Sequence, residues 1–335
     1  MTFERTKFSP HGAFALAWIV TYSVISALRS DNLGTDTQNY ILVFQQVSAN
    51  DFLGRELEPG FALLVKLSSF LGQHEVLFFL VSISVALSLA NIGRFGLGWR
   101  FAAFVYPLFM SPFFYGHTLN ILRQGMAFAF IVTLVFGERR FIKELVLIFI
   151  AGSIHISGLV FGVLVMISRR VSLNAAVVVW VAGVGIGILA SIDSLVVKLI
   201  YDNLTSEYYA GYVSSLHEDY KLGLRWDFLL FSTVIAFVAA FRVFYGRMKV
   251  RELIPFAASE MLLKAYLVMN GVGLCFLQMP YSDRWLNWSW SLLPYFMIGL
   301  ADILYSRRYR PYFLTLQMLV SPIVCLLFLN GMWVR

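Results

Sequence analysis

The feature that most constrains this chain is a succession of long apolar runs separated by short connections in which Lys and Arg collect. Residues 13–29, 75–92, 101–117, 119–136, 174–191, 228–245, 256–279, 285–304 and 311–330 lie at or near the roughly 17–25 residues that a helix needs to cross a bilayer. Shorter runs occupy 59–72, 141–153 and 155–168. In hydrocarbon every backbone N–H and C=O must be bonded within the protein, so such runs are expected to be helical. Composition agrees: 59% of residues are hydrophobic and 13% charged, against about 45–50% and about 25% in soluble domains. No polar stretch is long enough for a soluble domain. The sequence therefore predicts an all-α polytopic membrane protein, with residues 1–335 forming a single integral membrane domain. The run 13–29 is not followed by a small-residue cleavage site and reads as an uncleaved first span.

Basic residues orient the spans, because connections rich in Lys and Arg stay in the cytoplasm. The basic clusters are Arg5/Lys7, Arg94/Arg100, Arg139/Arg140/Lys143, Arg169/Arg170, Arg247/Lys249/Arg251 and Arg307/Arg308/Arg310. If all are cytoplasmic, the chain crosses an even number of times between Lys7 and Arg94. The runs 13–29 and 75–92 supply two crossings, so 59–72 is predicted to be a re-entrant half-helix. Its 14 residues would span about 21 Å, short of a ~30 Å hydrocarbon core. Runs 141–153 and 155–168 form a tight helical hairpin with Gly152-Ser153-Ile154-His155 at its apex. The prediction is about eleven transmembrane helices plus the half-helix, with connections 30–58, 118–120, 192–224 and 280–284 outside.

The formal net charge of +7 sits mostly in those clusters. It implies topology and contact with anionic membrane lipid rather than nucleic acid. Cys275 and Cys325 lie in apolar runs and read as buried thiols. No His/Cys cluster has metal-ligand spacing, so neither a metal nor a cofactor is predicted.

The uncommon polar residues gather on the outer side. In loop 30–58, Gly34-Thr35-Asp36-Thr37-Gln38 reads as a helix start. Tyr40, Val43, Phe44 and Val47 follow at the spacing of an amphipathic surface helix. Glu58-Pro59-Gly60 opens the half-helix, with proline at its first position. For Asp36 and Glu58, helix capping alone competes with a role in chemistry. Asn120-Ile121-Leu122-Arg123-Gln124 places donors at a helix N-terminus, where phosphate binds well. Asn120 and Arg123, three apart, are expected on one face; an interhelical salt bridge is the competing role for Arg123. His155 and Ser157 start the second hairpin arm. An intramembrane histidine suggests a general base or a phosphate donor, against a packing role. The loop 192–224 is rich in tyrosine, with Tyr208, Tyr209 and Tyr212 among residues suited equally to stacking on sugar and to anchoring an interface. Arg225 and Asp283-Arg284 stand at further helix starts. Arg123, Arg225 and Arg284 are thus expected to meet a shared anionic ligand, or to snorkel independently. Glu260 and Lys264, four apart, read as a structural ion pair.

These residues, in this order, resemble the EpsG family of Wzy-type polysaccharide polymerases. The likeness is carried by Gly34-Thr35-Asp36 with Tyr40 and Phe44, Glu58-Pro59-Gly60-Phe61, Asn120-Ile121-Leu122-Arg123-Gln124 with Ala127, and Ala151 with His155-Ile156-Ser157. The Tyr-rich loop and Asp283-Arg284 complete it. The resemblance implies a GT-C-like glycosyltransferase in the bacterial inner membrane, joining undecaprenyl-diphosphate-linked oligosaccharide repeats at the periplasmic face without metal, for O-antigen or exopolysaccharide. A chain-length regulator is a further partner it suggests. Arg123, Gln124, Asn120, Arg225 and Arg284 would then bind diphosphate. His155, Asp36 and Glu58 would be the catalytic candidates, with His155 preferred as base, and Tyr40, Tyr208, Tyr209 and Tyr212 would hold glycan. A flippase for the same lipid-linked sugar would also need an arginine-lined cavity, but with internal repeats and midplane charges. A ligase-like transferase would differ only in its acceptor.

Overall fold

The computed structural model describes residues 9–34, 36–49, 57–90, 99–137, 140–189, 223–246, 256–279, 281–297 and 310–329. All regular structure among them is helical. In chain order the helices are α1 (Pro10–Ala27), α2 (Thr37–Ser48), α3 (Pro59–Leu71), α4 (His74–Leu89), α5 (Trp99–Phe109), α6 (Pro112–Tyr115), α7 (Leu122–Phe136), α8 (Phe141–Ile154), α9 (Ile156–Ser168), α10 (Leu173–Leu189), α11 (Trp226–Gly246), α12 (Phe256–Leu274), α13 (Ser282–Trp290) and α14 (Arg310–Leu329). A π-helical turn, Gly116–Asn120, continues α6.

Among the described residues, one helix, Trp226–Phe244, is long and apolar enough by itself to cross a bilayer; six further apolar helices are shorter. Local chemistry explains one difference from the apolar runs. The run 101–117 breaks because Pro112 cannot donate a backbone hydrogen bond and instead opens a new turn. Short helices α3, α8 and α9 occupy the runs predicted as the half-helix and the two hairpin arms. Ser9 caps α1 by accepting from the Gly12 amide at 3.0 Å, with Pro10 at the first helical position. Large apolar side chains lie exposed along α8 (Ile142, Phe149) and α11 (Leu230, Phe237). Such faces suit lipid rather than water.

The chain divides into two units: residues 1–163, 249–255 and 294–335, and residues 164–248 and 256–293. In the first, α7 is buried along most of its length and forms the core helix. The Ser26 and Ser82 hydroxyls bond at 2.9 Å between α1 and α4. Tyr22 bonds Thr118, joining α1 to the π-turn.

In the second unit, α10 packs on α12 at backbone contact. A Cβ on Gly183 would lie 2.0 Å from the Gly271 carbonyl oxygen. Small residues permit this approach, which favours helix association in a medium where burial of apolar surface gives little drive. Beside it, Asn270 is fully buried and satisfied: it accepts from Trp180 Nε1 at 2.8 Å and donates to Ser232 at 3.1 Å and Ser289 at 2.9 Å. Lys264, expected to pair with Glu260, donates to the Val171 carbonyl at 3.1 Å instead.

Candidate active site

Three separate elements of the first unit bring ionisable groups together. Glu58 immediately precedes α3, Arg123 is the second residue of α7, and His155 is the extended residue that breaks α8 from α9. Glu58 makes no capping bond to its own helix. Its Oε2 accepts from Arg123 Nη1 at 2.8 Å, and its Oε1 accepts from His155 Nδ1 at 2.9 Å. The Ile156 amide, at the start of α9, donates to the same Oε1 at 3.3 Å. The carboxylate therefore also lies at the positive end of α9.

Sequence dictates this docking. Pro59 starts α3 without needing an amide partner. Gly60 then lets α3 approach the hairpin apex, where a Cβ would fall 2.5 Å from Ser153 Oγ and 2.9 Å from its carbonyl oxygen. His155 keeps a helical exit through its own amide, which donates to Ala151 at 2.9 Å, while its ring turns to Glu58.

Burial alone would raise the Glu58 carboxyl. The His155 hydrogen bond and the Arg123 charge outweigh it and hold the group at about 2. An ionised carboxylate only accepts hydrogen bonds, so neutral His155 carries its proton on Nδ1 and leaves Nε2 as an acceptor. In this arrangement Glu58 can orient and polarise the ring. The side chains of Glu58, Arg123 and His155 remain 12%, 18% and 24% exposed, so the cluster is sheltered yet reachable.

Tyr40 is buried in α2 with its ring against Phe61 at 5.9 Å, so that face is not free to stack on sugar. Its hydroxyl lies within hydrogen-bonding reach of Arg123; burial pushes its pKa up against the pull of that charge. Asp36 precedes α2 as predicted, without a side-chain capping bond, and acts electrostatically on Tyr40 one turn on.

The expected shared face of Asn120 and Arg123 is not formed. Asn120 ends the π-turn, and Ile121, at φ −103° and ψ 58°, interrupts the helix between them. The Asn120 amide instead faces Gly34, where a Cβ would lie 2.6 Å from Oδ1 and where φ is +95°. Gln124 is buried. In the second unit, Arg225 makes a two-point pair with Asp227 at 2.9 and 2.6 Å and covers Phe228, while Arg284 lies over Tyr281. Tyr208, Tyr209 and Tyr212 lie outside the described residues.

Two residues escaped the sequence reading. His117 is fully buried in the π-turn, stacked on Phe128 at 5.1 Å. Arg29, just beyond α1, is buried at 8% exposure, and its guanidinium lies 3.9 Å over Phe78. An arginine at the end of the first apolar run, on the side the basic clusters predict to be outer, was the available signal.

The sequence matches the EpsG family across residues 13–332. No curated protein and no solved structure matches the chain.

Proposed function

The chain belongs to the EpsG family, a family of Wzy-like polysaccharide polymerases, and on that premise we propose that it is a membrane glycosyltransferase joining undecaprenyl-diphosphate-linked oligosaccharide repeats. The hydrogen-bonded series Arg123–Glu58–His155 carries the reading. It supplies the two things this reaction needs: a base for a sugar hydroxyl and a cation for a diphosphate leaving group.

The acceptor hydroxyl of one lipid-linked repeat gives its proton to His155 Nε2 as its oxygen attacks the anomeric carbon of the donor glycan. The bond from that carbon to the diphosphate oxygen breaks, a glycosidic bond forms, and lipid diphosphate leaves with the electron pair. Glu58 stabilises the imidazolium and keeps its proton-accepting nitrogen turned to substrate, the part a buried carboxylate plays beside a catalytic histidine. Arg123 brings a fixed positive charge beside Glu58, and that charge meets the one that grows on the diphosphate. Asp36 is assigned to orienting the acceptor; Asn120 and Gln124, which the sequence placed on the same ligand, enter the proposal from the sequence alone. Tyr40 supports Arg123. Arg225, Arg284, Tyr208, Tyr209 and Tyr212 enter the proposal from the sequence, as further diphosphate and glycan contacts. Arginines rather than a metal carry the leaving-group charge in this scheme. The GT-C-like fold, inner-membrane location, periplasmic site and chain-length regulator belong to the same proposal.

The test is incubation of the purified protein with a lipid-diphosphate repeat unit. A ladder of longer lipid-linked glycans is expected, and Arg123→Ala and His155→Ala should each abolish it. Vectorial movement of the lipid-linked unit without new linkages would identify a flippase instead.

A further inference from the structure

Arg29 is tied to two elements that converge on Arg123. Its Nη1 donates to the Thr118 carbonyl and its Nη2 to the Leu119 carbonyl, each at 3.3 Å. These are the last carbonyls of the π-turn before Asn120, where a helix end leaves acceptors unpaired and favours a cation. Its Nε donates to Thr37 Oγ1 at 3.2 Å, in the first turn of α2. Nη1 also reaches the Ser26 carbonyl at 3.2 Å, anchoring the group to the end of α1.

The π-turn leads through Ile121 directly into Leu122 and Arg123. Helix α2 carries Tyr40, the group within reach of the Arg123 side chain. Thr37 is itself pinned, donating to the Leu33 carbonyl at 2.6 Å. One guanidinium thus fixes both the backbone from which Arg123 departs and the helix that supports its side chain. Its position over Phe78 leaves it 8% exposed, so it is a framework group rather than a substrate contact.

We infer that Arg29 is a positioning residue for transfer, acting through the π-turn and α2 to hold Arg123 in its working geometry. The catalytic part of this inference rests on the polymerase reading; the coupling of Arg29 to the π-turn does not. Arg29→Lys keeps the charge but offers one nitrogen in place of a planar fork that reaches Thr37, Thr118 and Leu119 together. A misplacement of Arg123 by about 1 Å costs on the order of 100-fold in rate.

The experiment compares wild type, Arg29→Lys, Arg123→Lys and the double variant in detergent or nanodiscs. Rates of ladder formation from a lipid-diphosphate repeat unit are measured beside amide hydrogen exchange over 116–124. Thr37→Val, which removes the Nε contact and the Thr37–Leu33 bond but leaves both π-turn contacts of Arg29, serves as a milder second variant. Arg29→Lys is expected to lower kcat about 10- to 100-fold with KM changed far less. Exchange over 116–124 should quicken, and the double variant should be no slower than Arg123→Lys alone. Multiplying losses in the double variant would overturn the inference, as would unchanged exchange and kcat in Arg29→Lys. Faster exchange with no ladder even from wild type would sink the polymerase reading and, with it, the catalytic part, while upholding the structural coupling.

Discussion

Glu58→Gln tests the central geometry with the least change of shape. The wild-type carboxylate accepts from Arg123 Nη1, His155 Nδ1 and the Ile156 amide. Glutamine offers one accepting oxygen and one donating nitrogen at those two positions. If the oxygen faces Arg123, the amide nitrogen meets His155 Nδ1 and demands the other tautomer, which puts the proton on Nε2 and removes the base. If the oxygen faces His155, the amide nitrogen points at an Arg123 donor. Either arrangement loses a charge-assisted bond worth about 1.5–3 kcal/mol. The first also forfeits general-base assistance of about 10²–10⁴-fold. Initial rates of ladder formation from a purified lipid-diphosphate repeat should therefore fall about 100- to 10,000-fold in kcat, with a smaller change in KM. Glu58→Asp, shorter by one methylene, should keep the tautomer but not both contacts, and fall between. A Glu58→Gln rate within about threefold of wild type, in protein that is folded and inserted, would refute the assignment of Glu58 as the group that orients His155.

Three further outcomes follow from distances already given. Because the Glu58 carboxyl is depressed from its ordinary 4.5 to about 2, its contribution to stability is complete above about 4.5 and disappears as pH falls toward 2. The thermal stability of wild type over Glu58→Gln, at most about 3 kcal/mol, should shrink across that window and stay level above it, as scanned by calorimetry. Gly60→Ala places a methyl 2.5 Å from Ser153 Oγ and 2.9 Å from its carbonyl oxygen. It should cost about 1–3 kcal/mol and lower the rate by moving Glu58, and Ser153→Ala should rescue it only in part because the carbonyl remains. Gly183→Ala, with a Cβ 2.0 Å from the Gly271 oxygen, should lower the melting temperature while leaving the Glu58–His155 contact intact, since it acts within the second unit; an unchanged melting temperature would show that α10 and α12 do not pack at backbone contact.

The site was legible in the sequence to the degree that burial of polarity is expensive. Arg123 and His155 stood out because each breaks apolar sequence, and Glu58 because it stands before Pro59 and Gly60, which marked where one helix begins. Their partnership did not stand out, since Arg123 and His155 lie 65 and 97 residues from Glu58 and only the tertiary fold closes those distances. The face shared by Asn120 and Arg123 failed for a local reason. The i, i+3 rule assumes an uninterrupted α-helix, and the residues of Gly116–Asn120 give no periodic sign that they form a π-turn followed by a break at Ile121. Tyr40 was placed on the correct amphipathic helix, but period alone does not say whether the residues on its apolar face meet sugar or Phe61. Arg29 was hidden more thoroughly. Two of its principal acceptors are the Thr118 and Leu119 carbonyls, and a backbone carbonyl belongs to every residue type alike. A side chain that pairs with another side chain leaves two marks in a sequence; one that pairs with backbone leaves only itself. That asymmetry explains why the groups proposed for chemistry could be found before the structure, whereas the group inferred to hold one of them in place could not.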